Sequence, residues 1–327
     1  MGQVHGAKMV KIKMNDAVSA QENDWPKMCT NAAKSISIYN VFRSTKTFQR
    51  VVEGSPISSG LWNLKRLLNN RIFTKSINLI QQSDTIGLPL NKIDFELNSR
   101  TYSLSPTTIR YTNNALNCLS LFGKKIFDGN TNIYEVGAGY GGECKIFNDI
   151  AITTNQHNLK DKWFIYDLQT STSLITKFLN SFNYTTKFLK LTKQRLVTNN
   201  KYLVISNGAF SEMHGELLNQ YFDKVISGAK YGYFITNFET HSAPHGGWTT
   251  SDFIEKLRAS GKTDVTILPT TKYLSYFDHQ ANSKLIVFGH NKLQKSDDRI
   301  IDIGKIYLLT LIIKIYEIVK GNFAKQA

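Results

Sequence analysis

From Thr131 onward, short apolar runs alternate with stretches of helical periodicity: NIYEV, WFIYD, TKFLKL, YLVISN, YGYFITNF, DVTILP and KLIVFGH. Runs of this length, bounded by polar and glycine-containing segments, predict seven strands. The first five are separated by enough residues for crossover helices, which makes them parallel neighbours in right-handed βαβ units. Between the sixth and seventh lie only residues 270–283, so those two are expected to pair as an antiparallel hairpin. Upstream, from Thr30 to Leu119, apolar residues recur at three- and four-residue spacing in LWNLKRLLNN and IRYTNNALNCLSLF, and the segment reads as mainly helical. Ser105-Pro106 supplies a helix start.

Residues 1–25 are polar and non-periodic and are expected to form a flexible tail. The organisation that follows is a helical N-terminal extension over 26–125, a core domain over 126–290, and a linker with an apolar helix over 291–327. The fold class is α/β, a Rossmann-like seven-stranded sheet. Five parallel strands followed by an antiparallel hairpin are the arrangement of class I S-adenosylmethionine-dependent methyltransferases, so S-adenosyl-L-methionine becomes the expected cofactor.

The chemistry concentrates in Asn132 to Lys145, NIYEVGAGYGGECK. The strand Ile133 to Val136 carries Glu135, and Gly137, Gly139 and Gly141 follow it, leading into a helix expected over Glu143 to Ile150. Glycines at these positions let the chain turn sharply with backbone N–H groups exposed, as a charged cofactor requires. Gly137, Gly139 and Gly142 also satisfy GxGxxG, which keeps a nicotinamide or flavin dinucleotide, and hence an oxidoreductase, in competition. In open α/β sheets ligands bind beyond the carboxyl ends of the strands. Asp167 closes the second strand, where a carboxylate can accept from both ribose hydroxyls of an adenosyl group, and Leu168 beside it can pack on the adenine. A dinucleotide's ribose would use Asp167 equally.

The fourth strand ends in ISNGAFSEMHG, where Asn207 and Phe210 partly resemble the NPPF element of nucleic-acid amino-methyltransferases; Gly208 and Ala209 stand in place of both prolines. Ser211, Glu212 and His214 offer a hydroxyl, a carboxylate and an imidazole there. After the fifth strand, NFETHSAPHGGWTTSDF brings Glu239, His241, His245 and Trp248. A histidine in this loop can deprotonate an alcohol; a divalent metal held by the histidines with Glu212, Glu239 or Asp278 is the alternative left open. HSAPH has i,i+4 spacing, but Pro244 rules out a zinc helix of the HExxH type.

The formal charge of +15 raises nucleic acid as a partner. Residues 1–130 carry 17 basic and 8 acidic groups, residues 131–290 carry 16 and 13, and the remainder 7 and 4. The excess therefore lies in the leading segment and not around the glycine turn. Three separated cysteines, Cys29, Cys118 and Cys144, without CxxC spacing, fit reduced thiols in a cytoplasmic protein. Lys8, Lys11, Lys13 and Asp16 interrupt any signal-peptide core, and Gly6 stands where a myristoylation site needs Ser or Thr. The most apolar run, Ile306 to Val319, contains Lys314 and Glu317 and is too short to span a bilayer, although peripheral membrane contact by that helix is one reading beside docking on the core.

Four blocks, LSPTTIRY (104–111), YEVGAGYGGECKIF (134–147), YDL (166–168) and LVISNGAFSEM (203–213), resemble the sugar O-methyltransferase family, over roughly residues 100–290. That resemblance implies a donor site built from Glu135, Gly137, Gly139, Gly141, Asp167, Leu168 and Asn207, with Arg110 and Tyr111 approaching from the preceding helix. It implies a sugar, nucleotide-sugar or glycan acceptor, with no nucleic acid expected. His241 or His245 is the expected base, with Glu212 orienting it or the acceptor. A nucleic-acid methyltransferase using the basic leading segment is the rival.

Overall fold

The computed structural model describes residues 24–53, 55–154, 159, 161–192, 201–274 and 282–291. The chain divides into two compact units, Met1–Asn291 and Lys292–Ala327. The second unit, with the expected apolar helix, and the expected tail over 1–23 lie outside the described residues.

Five helices precede the first strand: α1 (Asp24–Lys34), α2 (Ile36–Tyr39), α3 (Lys46–Val51), α4 (Ile57–Leu67) and α5 (Arg71–Gln82). They are followed by β1 (Ile93–Leu97), β2 (Arg100–Leu104) and α6 (Pro106–Phe122). Then come β3 (Asn132–Val136), α7 (Gly142–Thr153), β4 (Trp163–Tyr166), α8 (Gln169–Asn180), β5 (Lys187–Leu189) and β6 (Tyr202–Asn207). The remainder is α9 (Gly215–Tyr221), β7 (Tyr231–Thr236), α10 (Thr250–Ala259), β8 (Thr266–Leu268), α11 (Thr270–Tyr273) and β9 (Lys284–Phe288).

All seven expected core strands are present, in one sheet of order β5-β4-β3-β6-β7-β9-β8. The first five are parallel, and β9 runs antiparallel between β7 and β8. Strand order reverses between β3 and β6, which places the switch point beside the glycine turn. This is the class I Rossmann-like order, with the final hairpin that distinguishes it from an all-parallel dinucleotide sheet.

Alternation within each strand builds two cores. Ile133, Leu203, Ile205, Tyr233 and Ile235 point to one face, where they pack with residues of α1 and α4 to α8. Tyr134, Val136, Val204 and Phe234 point to the other, against α9 and α10. The period of two along a strand dictates this division.

One element departs from the helical reading of residues 30–119. IDFEL and RTYSL pair as an antiparallel hairpin, with Leu97 opposite Arg100 across Asn98 and Ser99. Both turn residues have positive φ, 52° and 61°, as a two-residue turn matched to strand twist requires. The apolar alternation Ile93, Phe95, Leu97 was the local signal, masked by helical periodicity on both sides.

The extension is tied together by a buried ion cluster. Arg43 Nε donates to Glu53 Oε1 at 2.6 Å, Nη1 to Asp84 Oδ1 at 2.7 Å and Nη2 to Ser105 Oγ at 2.8 Å. Ser105 caps α6 by accepting from the Thr108 N–H, and Thr108 Oγ1 in turn donates to Asp84 at 2.7 Å. The cluster thereby fixes the start of α6, the helix that carries Arg110 and Tyr111. Removing one member of a buried ion pair leaves an uncompensated charge, typically costing about 3–5 kcal/mol. Arg43→Met should lower the unfolding free energy by about that amount in urea titrations, because Glu53 and Asp84 both lose their cation.

Candidate functional site

The turn between β3 and α7 holds Gly137, Gly139 and Gly141 at φ of 78°, 60° and 90°. At Gly137 a β-carbon would lie 2.0 Å from that of Ala209, in the turn after β6. No other residue fits there, so the two turns flanking the switch point touch through the missing side chain. Tyr140, between the glycines, is fully buried and points away from the crevice into the extension. Its ring meets Phe178 at 4.7 Å, Phe48 at 5.3 Å and Phe42 at 5.8 Å, with the Arg43 guanidinium 5.1 Å from its centroid.

Asp167, directly after β4, closes on the turn itself. Its Oδ2 accepts from the N–H groups of Ala138 at 2.7 Å and Gly139 at 3.2 Å, and Oδ1 accepts from Leu168 N at 2.6 Å. The turn's N–H groups are therefore not all open, as the sequence had implied; two of them hold the carboxylate that was expected to face a ribose. Two carboxylate oxygens offer about four acceptor positions, so one remains for a ligand hydroxyl, and a second needs one turn N–H to let go. Desolvation pushes the Asp167 carboxyl up to about 6 against the pull of these N–H donors. Asp167, Leu168, Arg110 and Asn207 are all half-buried, lining one edge.

Behind the turn lie two further carboxylates. Glu135 is 2% exposed and accepts from Trp163 Nε1 at 2.8 Å. Glu143, in the first turn of α7, is also 2% exposed and accepts from Asn114 Nδ2 at 2.9 Å. Asn207 also hydrogen-bonds to Glu143, and the Arg110 guanidinium acts on it electrostatically. Burial pushes Glu143 up to about 7, and burial reinforced by Glu143 pushes Glu135 well above the carboxylate range. Arg110 Nη2 donates to the Val52 carbonyl at 3.2 Å, and the Val52 side chain lies 3.4 Å from where a Gly139 β-carbon would stand. The extension thus reaches the outer side of the turn. Tyr111 is buried beside Tyr140, and desolvation raises its hydroxyl.

On the acceptor side, Ser211 joins the loops that follow β6 and β7. Its hydroxyl lies 2.9 Å from Asn237 Oδ1 and accepts from Asn237 N at 3.1 Å. Ser242 Oγ donates to the Met213 carbonyl at 2.6 Å and accepts from Trp248 N at 3.2 Å. Across this junction the His214 and His245 rings face each other at 5.8 Å, with His214 Nε2 buried and without a hydrogen-bond partner among the described residues. His245 is exposed, His241 and Glu212 are half-buried, and among the described residues no hydrogen bond joins Glu212 to either histidine. Glu239 is engaged otherwise: it accepts from Thr250 N at 3.0 Å at the start of α10. Among the described residues no three His, Cys, Asp or Glu side chains converge as a metal site, and Asp278 lies outside them.

The structure brings together Glu135, Gly137, Gly139, Gly141, Asp167, Asn207 and Arg110 around the switch point, and places His241, His245 and Glu212 on the neighbouring loops. Glu143, Asn114 and Tyr140 belong to the first group and were missed. The available signal was a run of asparagines, Asn113, Asn114 and Asn117, on an otherwise apolar helix; all three are buried. All three cysteines are buried and unpaired. No helix among the described residues is long and apolar enough to cross a membrane.

No family model and no curated protein matches the chain. Solved structures do. A protein assigned as an RNA methyltransferase from Pyrococcus horikoshii is 14% identical over 56% of this chain and 81% of its own, with a TM-score of 0.34. One assigned as a sarcosine dimethylglycine methyltransferase from Galdieria sulphuraria is 11% identical over 56% and 86%, at 0.38. An O-methyltransferase family protein from Burkholderia thailandensis is 14% identical over 56% and 59%, at 0.35. The fold assignment rests on this chain's own strand order.

The carboxylate pair carries a pH signature. Folded-state values raised above the unfolded ones mean that the native protein binds the extra proton between them, so stability falls as pH rises through that window. Urea unfolding should show a decline on the order of 1–3 kcal/mol between pH 5 and 8. Glu143→Gln should flatten it.

Proposed function

We propose that the chain is an S-adenosylmethionine-dependent methyltransferase acting on a hydroxyl oxygen of a sugar or glycan precursor. The observation that carries the donor reading is the antiparallel β9 inserted between β7 and β8 beside a glycine turn closed by Asp167. The residues fit the donor. The turn offers a close backbone approach at Gly139, Asp167 keeps an acceptor position for a ribose hydroxyl, and Leu168 next to it is half-buried and apolar, suited to an adenine face. The hydroxyl acceptor and its sugar class rest on the four blocks that resemble sugar O-methyltransferases.

When bound, the donor supplies an already activated methyl group. The chain's task is then alignment and removal of one proton. Alignment of reacting groups is worth up to about 7–11 kcal/mol in favourable cases, and a general base about 10²- to 10⁴-fold. Orientation falls to Asp167 and the glycine turn on the donor side, and to the loops pinned together by Ser211 and Asn237 on the acceptor side. His241 and His245 remain the proposed bases, with Glu212 positioning the acceptor. His214 joins them because its Nε2 is buried without a partner among the described residues and its ring faces that of His245. In the free protein the His214–His245 pair, close enough for mutual repulsion if both were charged, favours one neutral imidazole, which is the form a base requires.

Titration calorimetry with S-adenosylmethionine, S-adenosylhomocysteine and NAD in parallel should give heats for the first two alone. Gly139→Arg, which forces a long side chain against Val52 from a backbone at φ 60°, should abolish them. Binding of NAD with silence from the other two would contradict the reading.

A further inference from the structure

Glu143 has no role in the scheme above, yet it occupies the centre of the switch point. It follows the glycine turn directly, at the first turn of α7, and its carboxylate is bonded to the end of β6 through Asn207 and to α6 through Asn114. We infer that Glu143 accepts the α-ammonium group of the donor's methionine part, in the cleft between the ends of β3 and β6. This deepens the donor reading and rests on it.

Position, partners and charge each support the assignment. The cleft where strand order reverses is where an open α/β sheet receives a ligand, and an adenosyl group at Asp167 would send its amino-acid end from β4 across the turn toward β6. Glu143 lies along that line. Its hydrogen-bond partners are neutral amides, Asn114 and Asn207, and amides orient a carboxylate without neutralising it. The nearby cation is Arg110, one helical turn before Asn114 on the same face of α6, half-buried and facing the crevice edge where Val52 meets the turn. A carboxylate and a guanidinium on two sides of one cleft match the two charged ends of an α-amino acid.

The third argument is electrostatic. Glu135 and Glu143 are both buried and repel each other, and burial with repulsion holds protons on the pair near neutrality. Placing two carboxylates in one dry site needs a positive charge to offset them. In the free protein a proton supplies it. A ligand ammonium bound at Glu143 would supply the same compensation with directed hydrogen bonds, which are stronger when charge-assisted.

The test compares two ligands that share the adenosyl thioether and differ in the amino acid: S-adenosylhomocysteine and 5′-methylthioadenosine. Calorimetry on the full chain should show the first binding wild type more tightly. Glu143→Gln should weaken S-adenosylhomocysteine about tenfold or more while leaving 5′-methylthioadenosine unchanged. Glu143→Asp, which retains the charge on a shorter arm, should fall between; should the glutamine variant fail to unfold cooperatively, the aspartate variant carries the comparison. Equal weakening of both ligands would mean that Glu143 only props up the turn, and an unchanged affinity for S-adenosylhomocysteine would mean that it reads nothing; either overturns the inference. Wild type binding both ligands equally well would leave the adenosyl site standing and remove the role of Glu143. Wild type binding neither would remove the donor reading itself and this inference with it.

Discussion

The turn after β3 exists as a site because the Asp167 carboxylate holds it from the end of the neighbouring strand. Hydrogen bonds from Ala138 and Gly139 N–H groups to one carboxylate oxygen fix a segment whose three glycines would otherwise sample many conformations. The ends of β3 and β4 then behave as one rigid lip. The same bonds set the cost of ligand entry, because a ribose seeking both acceptor positions must displace one of them. A site of this kind is organised by a group that the ligand later shares.

The N-terminal extension serves that turn from behind. Tyr140 sits inside an aromatic nest contributed by α3, α8 and the residues between α2 and α3, and Arg43 links this nest to Glu53, Asp84 and the cap of α6. Aromatic pairs of this geometry add roughly 0.5–1.5 kcal/mol each beyond their burial. The extension also lays Val52 against Gly139 and bonds Arg110 to the Val52 carbonyl. A segment with no recognisable motif of its own therefore determines the rear wall and one rim of the crevice. Helices packed this closely on the sheet's own core leave the glycine turn little freedom to open backwards.

Much of the sheet was legible in the sequence, because each strand is a short apolar run with its own polar or glycine boundary, and the short link between the last two strands excluded a crossover helix. The glycine turn, Asp167 and Asn207 were legible for the same reason: they sit at strand ends, whose positions follow from local pattern. What local pattern could not supply was partnership. Tyr140 reads as an ordinary turn residue until Phe42 and Phe48, some ninety residues earlier, are seen around it. Glu143 reads as a favourable charge at a helix start until Asn114 and Asn207 converge on it. The 93–104 hairpin had a local signature, but two residues of turn between helices gave it little weight. On the acceptor side, the pairing of His214 with His245 depends on how two loops meet, which no spacing within either loop encodes.

The central claim is that this turn and the carboxylate that closes it receive the adenosyl part of a sulfonium donor. The direct test is a crystal structure of the protein grown with S-adenosylhomocysteine. The account predicts the adenosyl group lying across the turn, with Asp167 Oδ1 or Oδ2 bonded to a ribose hydroxyl and the base against Leu168. A crevice that stays empty at saturating ligand, or an adenosyl group bound elsewhere on the sheet edge, would contradict it.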